Sequence, residues 1–122
     1  RGRALLGLGR PEDARSAFQT VVDSRATGDL AAQAQLMIGE TFFHEEKFLQ
    51  AIREYLKVDI NYDVPRRRAA ALLEAGKAYE RLARWSEAAE MYERLTNLPD
   101  NPYADEAKAR REKVLADHPS KP

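Results

Sequence analysis

Small and apolar residues recur along the chain at the spacing of an α-helix. Ala51, Tyr55 and Val58 are separated by four and three positions, so they fall on one face of a helix. Gly39 and Phe42 share a face of the preceding segment in the same way. These patterns predict amphipathic helices that pack against one another.

Proline and glycine residues predict where the helices begin and end. Gly9 and Pro11 end one helix and begin the next, and Glu12 and Asp13 then follow in its first turn, where acidic residues are favourable. Pro65 predicts another start in the same way. The predicted helices cover residues 1–8, 11–26, 29–45, 48–61, 65–82, 85–97 and 102–117.

The same classes of residue recur every 37 positions, which indicates an internal repeat. The matched positions in the three units are Gly2, Gly39 and Gly76; Leu5, Phe42 and Tyr79; Ala14, Ala51 and Ala88; and Phe18, Tyr55 and Tyr92.

Each repeat predicts a helix–turn–helix unit. Glycine and alanine are small where the two helices approach closely, and the aromatic residues fill the space beside that contact. Because one such unit cannot bury its apolar face alone, neighbouring units must stack to complete a core. We therefore predict one all-α domain over 1–122, with a truncated unit at 1–31, units at 32–68 and 69–105, and a capping helix at 106–117.

Composition supports helices and excludes several classes of protein. Ala, Leu, Arg, Glu and Lys make up more than half of the 122 residues, whereas Val, Ile and Thr are scarce. The chain has no cysteine, which excludes a disulfide framework and a cysteine-based zinc site. Twenty basic residues balance twenty acidic ones, so no net charge attracts nucleic acid or an anionic membrane. No apolar run approaches the roughly 18 residues that a membrane span needs.

The repeat resembles the tetratricopeptide repeat, which combines a small glycine, an aromatic residue, an alanine and a second aromatic residue. Gly76, Tyr79, Ala88 and Tyr92 match this pattern in the third unit, and the corresponding positions match in the second. The first unit has Leu5 in place of the aromatic residue. The resemblance implies a right-handed superhelical solenoid of antiparallel helix pairs, with about seven helices.

The segment 98–107 resembles a link found in bacterial cell-envelope tetratricopeptide proteins, including periplasmic Tol-Pal-associated proteins and outer-membrane-assembly lipoproteins. This resemblance implies a bacterial protein of the periplasm or cell envelope. The chain begins Arg1-Gly2-Arg3, and Gly2 matches the middle of a first helix. We therefore expect a fragment of a longer protein.

The resemblance also implies a peptide-binding groove on the concave face, which the first helix of each unit lines. The residues at the matching positions are Gln33, Leu36, Glu40, Phe43, His44, Ala70, Leu73, Lys77, Glu80, Arg81, Ala107, Arg110 and Val114.

Phe43 has two interpretations. Since Phe42 already fills the contact within the unit, Phe43 could face the groove as an anchor. It could equally pack against the neighbouring unit.

Some members of the family grip a C-terminal carboxylate with Lys, Asn and Arg at fixed groove positions. The matching positions here hold Leu36, Glu40, Leu73 and Lys77, which argues against such a clamp.

Charge is unevenly distributed despite the zero total. Residues 66–84 contain six basic side chains and two acidic ones, whereas residues 86–106 contain one basic and six acidic. This arrangement predicts either a basic groove for an acidic partner or simple charge pairing within the chain. No aromatic residue is interleaved with the basic run Arg66-Arg67-Arg68, and this argues against nucleic acid as the partner.

The sequence gives no support for catalysis. His44 is followed by two glutamates, but Phe48 stands where a zinc helix would have its second histidine. We therefore predict a non-catalytic scaffold without metal or cofactor, which binds a protein or peptide on its concave face. The alternative is a structural module that forms homo-oligomers through its ends or its groove.

Overall fold

The computed structural model describes residues 11–24, 28–99 and 101–119. Within these ranges the chain forms helices and no strand. The helices are α1 (Pro11–Asp23), α2 (Gly28–His44), α3 (Phe48–Asn61), α4 (Pro65–Arg81), α5 (Trp85–Thr96) and α6 (Ala104–Asp117). The predicted helix at 1–8, with Gly2 and Leu5, lies outside the described residues.

The helices form an array in which each one packs against the next. Three-residue connections follow α2, α3 and α4, and connections this short make neighbouring helices antiparallel. Helices α2 and α4 also contact each other directly, so the first helices of successive pairs lie side by side. The predicted all-α helical solenoid is thus confirmed.

The last helix begins two residues later than the prediction, because Asn101 organises the preceding turn. Its side-chain NH₂ donates hydrogen bonds to the carbonyl oxygens of Leu95 and Leu98, at 3.0 and 2.8 Å. Its side-chain oxygen accepts the backbone N–H of Tyr103 at 3.0 Å. These bonds provide hydrogen-bond donors for carbonyl groups at the end of α5 and hold Pro102 in a turn, so α6 starts at Ala104.

A glycine lies directly against a tyrosine ring within the helix pairs α2–α3 and α4–α5. A Cβ atom added to Gly39 would lie 2.5 Å from Cδ1 of Tyr55, and one added to Gly76 would lie 2.7 Å from Cζ of Tyr92. Both tyrosines are fully buried. Their rings occupy the space that any larger residue at the glycine positions would need.

The turns within the two helix pairs share one backbone conformation. Glu46 and Ala83, which are 37 residues apart, both have left-handed backbone angles, with φ of 62° and 58°. The N–H of Ala83 donates to the carbonyl of Glu80, and that of Arg84 donates to the carbonyl of Tyr79. This is the Schellman arrangement that commonly ends a helix at glycine. Gly9 occupies the matching position of the first unit in the sequence.

Replacing Gly76 by alanine should lower the free energy of unfolding by about 1–3 kcal/mol, the usual cost of overpacking a core. The Tyr92 ring cannot easily move aside, since it is buried and its hydroxyl donates to Glu80. Denaturant titration followed by circular dichroism measures the change. Gly28→Ala is the matched control, because its new Cβ would meet only Val64 Cγ2, at 4.0 Å. If Gly76→Ala unfolded at the same denaturant concentration as the parent, the close contact with Tyr92 would not require glycine at position 76.

Replacing Ala83 by glycine should raise the free energy of unfolding by up to about 1 kcal/mol, because glycine removes the cost of a left-handed Cβ. Ala109→Gly is the control, since Ala109 is exposed on α6 and glycine within a helix costs about 1 kcal/mol. In the same denaturant titration, the midpoint of unfolding should therefore rise for Ala83→Gly and fall for Ala109→Gly. A loss of stability in both would show that the turn tolerates alanine without strain.

Candidate functional site

Side chains from the first helix of each successive unit line a cleft of about 230 Å³ on the surface. Its lining residues are Phe43 on α2, Lys77, Glu80 and Arg81 on α4, and Arg110 on α6. We call this surface the α2–α4–α6 cleft. All five residues belong to the groove set that the sequence predicts.

Phe43 contributes to both the core and the cleft. Its half-buried ring packs against the hydrophobic core and meets the ring of Phe48 edge to face, at a centroid distance of 5.1 Å. The remaining ring surface lines the α2–α4–α6 cleft. Phe43 thus packs against the core and also has ring surface in the cleft, and its role as an anchor stays a prediction.

Arg81 lies beside the rings of Phe43 and Phe48, which meet edge to face and which we call the aromatic platform. Its guanidinium carbon is 4.8 Å from the centre of the Phe48 ring and 5.9 Å from that of Phe43. Among the described residues, the carboxylate that pairs with it is that of Glu46, with a nitrogen–oxygen distance of 3.6 Å. Cation–π attraction to the rings thus orients a guanidinium that remains 52% exposed.

The other cations of the cleft have close carboxylate partners. Lys77 Nζ lies 3.0 Å from Glu74, its neighbour on α4. Arg110 Nε donates to Glu106 at 3.0 Å, and its Nη1 lies 3.9 Å from Glu80. These pairs fix the two side chains and neutralise part of their charge.

Glu80 supplies the negative charge of the cleft lining, and Tyr92 holds it. The buried Tyr92 hydroxyl donates a hydrogen bond to the Glu80 carboxylate. Burial, and then the bond to Glu80, raise the pKa of Tyr92, so the hydroxyl stays protonated and continues to donate. The same tyrosine that packs against Gly76 therefore positions a charge in the cleft.

The remaining groove predictions divide into exposed and buried positions. Gln33 and His44 are exposed outside the cleft, Leu36 packs partly against the core, and Ala70 is half-buried. The prediction of an exposed surface is wrong for Leu73, Ala107 and Val114, which are at most 4% exposed. All three belong to the buried core cluster that continues from one helix pair to the next.

Glu40 is also half-buried and accepts a hydrogen bond from Tyr55 at 2.7 Å. Burial raises the pKa of Glu40; the bond from Tyr55 opposes this, and the nearby carboxylate of Glu74 adds to it. The matching residue of the next unit is Lys77, so the face changes from acidic to basic between units.

Charge pairing within the chain accounts for much of the basic segment 66–84. Arg67 donates to Asp29 at 2.9 Å, which joins α4 to α2. Arg84 donates to Glu87 at 3.0 Å, next to it in the first turn of α5. The uneven charge of the sequence therefore does not produce a continuous basic stripe.

A buried carboxylate pairs with cations from the following helix pair. The side chain of Asp59, on α3, is only 4% exposed. Arg68 of α4 donates to one of its oxygens at 3.1 Å, and Arg94 of α5 donates to the other. Such a carboxylate needs both partners, because an unpaired buried charge is costly.

Sequence reasoning missed Phe48 and Glu46 as parts of the site. In the sequence, Phe48 marks the start of a predicted helix and interrupts a zinc-helix pattern, and neither observation points to the groove. Its contact with Arg81 of the following unit depends on how the units stack, which periodicity does not determine.

A second, apolar cavity of about 210 Å³ lies between α1 and α2, where Phe18, Leu30 and Met37 are among its lining residues.

Membrane insertion and metal binding find no support in the described ranges. None of their helices has both the length and the apolar character that crossing a membrane requires. In the same ranges, no three His, Asp or Glu side chains come together in a way that could hold a metal ion.

Glu40→Gln should remove the loss of stability that the Glu40 carboxyl contributes as the pH rises from acidic to neutral. The raised pKa means that the folded state holds the Glu40 proton to higher pH than the unfolded chain does, so deprotonation disfavours folding. Glutamine still accepts the Tyr55 hydroxyl but does not titrate. Unfolding free energies measured across this pH range test the difference, with Glu90→Gln, on the exposed side of α5, as control. Parallel pH profiles for Glu40→Gln and the parent would contradict the role of Glu40.

Comparison with known proteins agrees with this architecture. Two sequence profiles described as tetratricopeptide repeat match the chain, one over residues 1–63 and the other over residues 70–101. No curated protein matches it. Tetratricopeptide repeats are generally protein–protein interaction modules. Since one profile alone covers half of the chain, this protein belongs to the tetratricopeptide repeat family.

Proposed function

We propose that this chain is a non-catalytic scaffold that binds a peptide or helix of a protein partner in the α2–α4–α6 cleft. The observation that carries the proposal is the half-buried ring of Phe43, which lines the cleft together with three cationic side chains. Aromatic residues and arginine are enriched at the centre of protein interfaces, and polar groups form the rim around them.

The scaffold supports binding because it holds these side chains in place before a partner arrives. Phe43 is fixed by Phe48, Lys77 by Glu74, and Arg110 by Glu106. Groups that are already ordered lose little conformational entropy on binding. Charge around the cleft would then contribute mainly to specificity and to the rate of association.

Self-association is the second candidate, and exposed apolar side chains on α3 favour it. Ile60 is 76% exposed and Leu49 is 46% exposed, on the second helix of its pair. Exposed apolar side chains that form a patch mark sites of contact between proteins.

The assignment to bacterial cell-envelope proteins remains a prediction. It rests on the sequence of the 98–107 link. The hydrogen bonds of Asn101 show that this link has a structural role in the turn before α6. Such a role does not depend on the compartment of the protein.

The combined variant Phe43→Ala, Lys77→Ala should weaken peptide binding at least tenfold with little change in helicity. Alanine removes the aromatic anchor and one cation from the cleft while the Gly–Tyr contacts remain. The binding probes are peptides selected on this chain from a random octapeptide library that is displayed through its carboxyl end. Their affinities for the parent and the variant are measured by fluorescence anisotropy.

Arg53→Ala is the control, because Arg53 is exposed on α3, outside the cleft. Selected peptides that bind the combined variant as tightly as the parent would place the binding site elsewhere. Sedimentation velocity over a range of concentrations tests the second candidate in the same samples. A monomer throughout would count against self-association and leave the cleft proposal standing.

A further inference from the structure

We propose that Arg81 binds an aspartate or glutamate side chain within the partner segment, next to an apolar residue that packs on Phe43. This inference rests on the proposed function, because it specifies the chemistry of the segment that occupies the α2–α4–α6 cleft. The recognised group is a side-chain carboxylate inside the segment.

Arg81 has hydrogen-bonding capacity that the described part of the chain does not use. No hydrogen bond from its guanidinium to these residues is formed, and the carboxylate of Glu46 lies beyond hydrogen-bond distance, at 3.6 Å. A guanidinium has five N–H donors in its plane, while aromatic contacts engage its faces. The platform of Phe43 and Phe48 therefore orients Arg81 and leaves its donors available.

Most arginines of the described residues use their donors within the chain. Arg53, Arg66 and Arg111 do not, but unlike Arg81 none of them lines the cleft. Arg15, Arg67, Arg68, Arg84, Arg94 and Arg110 each donate to a carboxylate of the chain. Arg81 is instead 52% exposed, lines the cleft and pairs weakly with a glutamate that is 73% exposed. A partner carboxylate can displace Glu46 with little loss, since exposed ion pairs contribute little. The planar fork of arginine matches a carboxylate with two parallel hydrogen bonds.

The neighbouring groups restrict the partner to an isolated acidic residue rather than an acidic run. The cleft lining has a net positive charge, because it contains three basic residues, Lys77, Arg81 and Arg110, and one acidic residue, Glu80. Lys77 and Arg110, however, already have carboxylates at 3.0 Å. Glu80 would repel a second partner carboxylate. Beside Arg81, the open surface of Phe43 suits an apolar side chain.

The octapeptide library tests this inference, because display through the carboxyl end presents no free C-terminal carboxylate. Peptides whose binding depends on Phe43 should be enriched in Asp or Glu beside an apolar residue. In synthetic copies capped at both ends, replacing that residue by Asn or Gln should weaken binding at least tenfold. Arg81→Met should cause a similar loss, and Arg81→Lys a partial one, since lysine keeps the charge without the planar fork.

Arg53→Met is the matched control, as another exposed arginine on a helix outside the cleft. Circular dichroism checks that the variants stay folded. Phe43-dependent peptides without acidic enrichment, or with equal affinity for Arg81→Met and the parent, would overturn this inference while the proposed function stands. If no selected peptide depends on Phe43, the proposed function itself fails. Synthetic copies that bind only when their carboxyl end is left uncapped would also overturn the inference.

Discussion

The close approach of the two helices in each unit is the constraint on which the other features depend. It requires glycine at positions 39 and 76, since the rings of Tyr55 and Tyr92 occupy the space that a side chain would need. This packing also brings each tyrosine hydroxyl to a glutamate on the facing helix, Glu40 in one unit and Glu80 in the next. Apolar packing therefore determines where a carboxylate of the cleft lies, and the core and the candidate site cannot be changed independently.

A second kind of contact joins the units to one another, and it is polar. Asp59 on α3 is held by Arg68 and Arg94 of the following helix pair. Nearer the beginning, Arg15 on α1 bonds Glu45 and lies over the ring of Phe42, at 4.1 Å from its centre. Repeat proteins gain stability from such contacts between neighbours as well as from each unit. These polar contacts lie at the unit boundaries, where the hydrophobic core also continues from one helix pair to the next.

The sequence allows the helices and the packing positions to be predicted, because both follow from local spacing. Glycine and tyrosine recur every 37 residues, and this alternation of small and aromatic residues is typical of two helices in close contact. The contacts between units could not be predicted in this way. Asp59 finds partners 9 and 35 residues away, and only the stacking of units decides which arginines reach it. For the same reason the sequence placed Leu73 on an open surface, although it is buried between helices.

The α2–α4–α6 cleft arises where the units differ rather than where they repeat. Phe43 and Glu80 occupy matching positions, and so do His44 and Arg81. An identical repeat would place either two aromatic rings or two glutamates on this face. The departure from the repeat instead places one ring beside one guanidinium from the next unit, with Phe48 completing the platform. Packing requires the glycine and tyrosine positions to stay constant, whereas the surface positions can vary without disturbing the helix pairs. Specificity in such an array is therefore expected at the positions where periodicity fails, and in this chain those positions meet around Arg81.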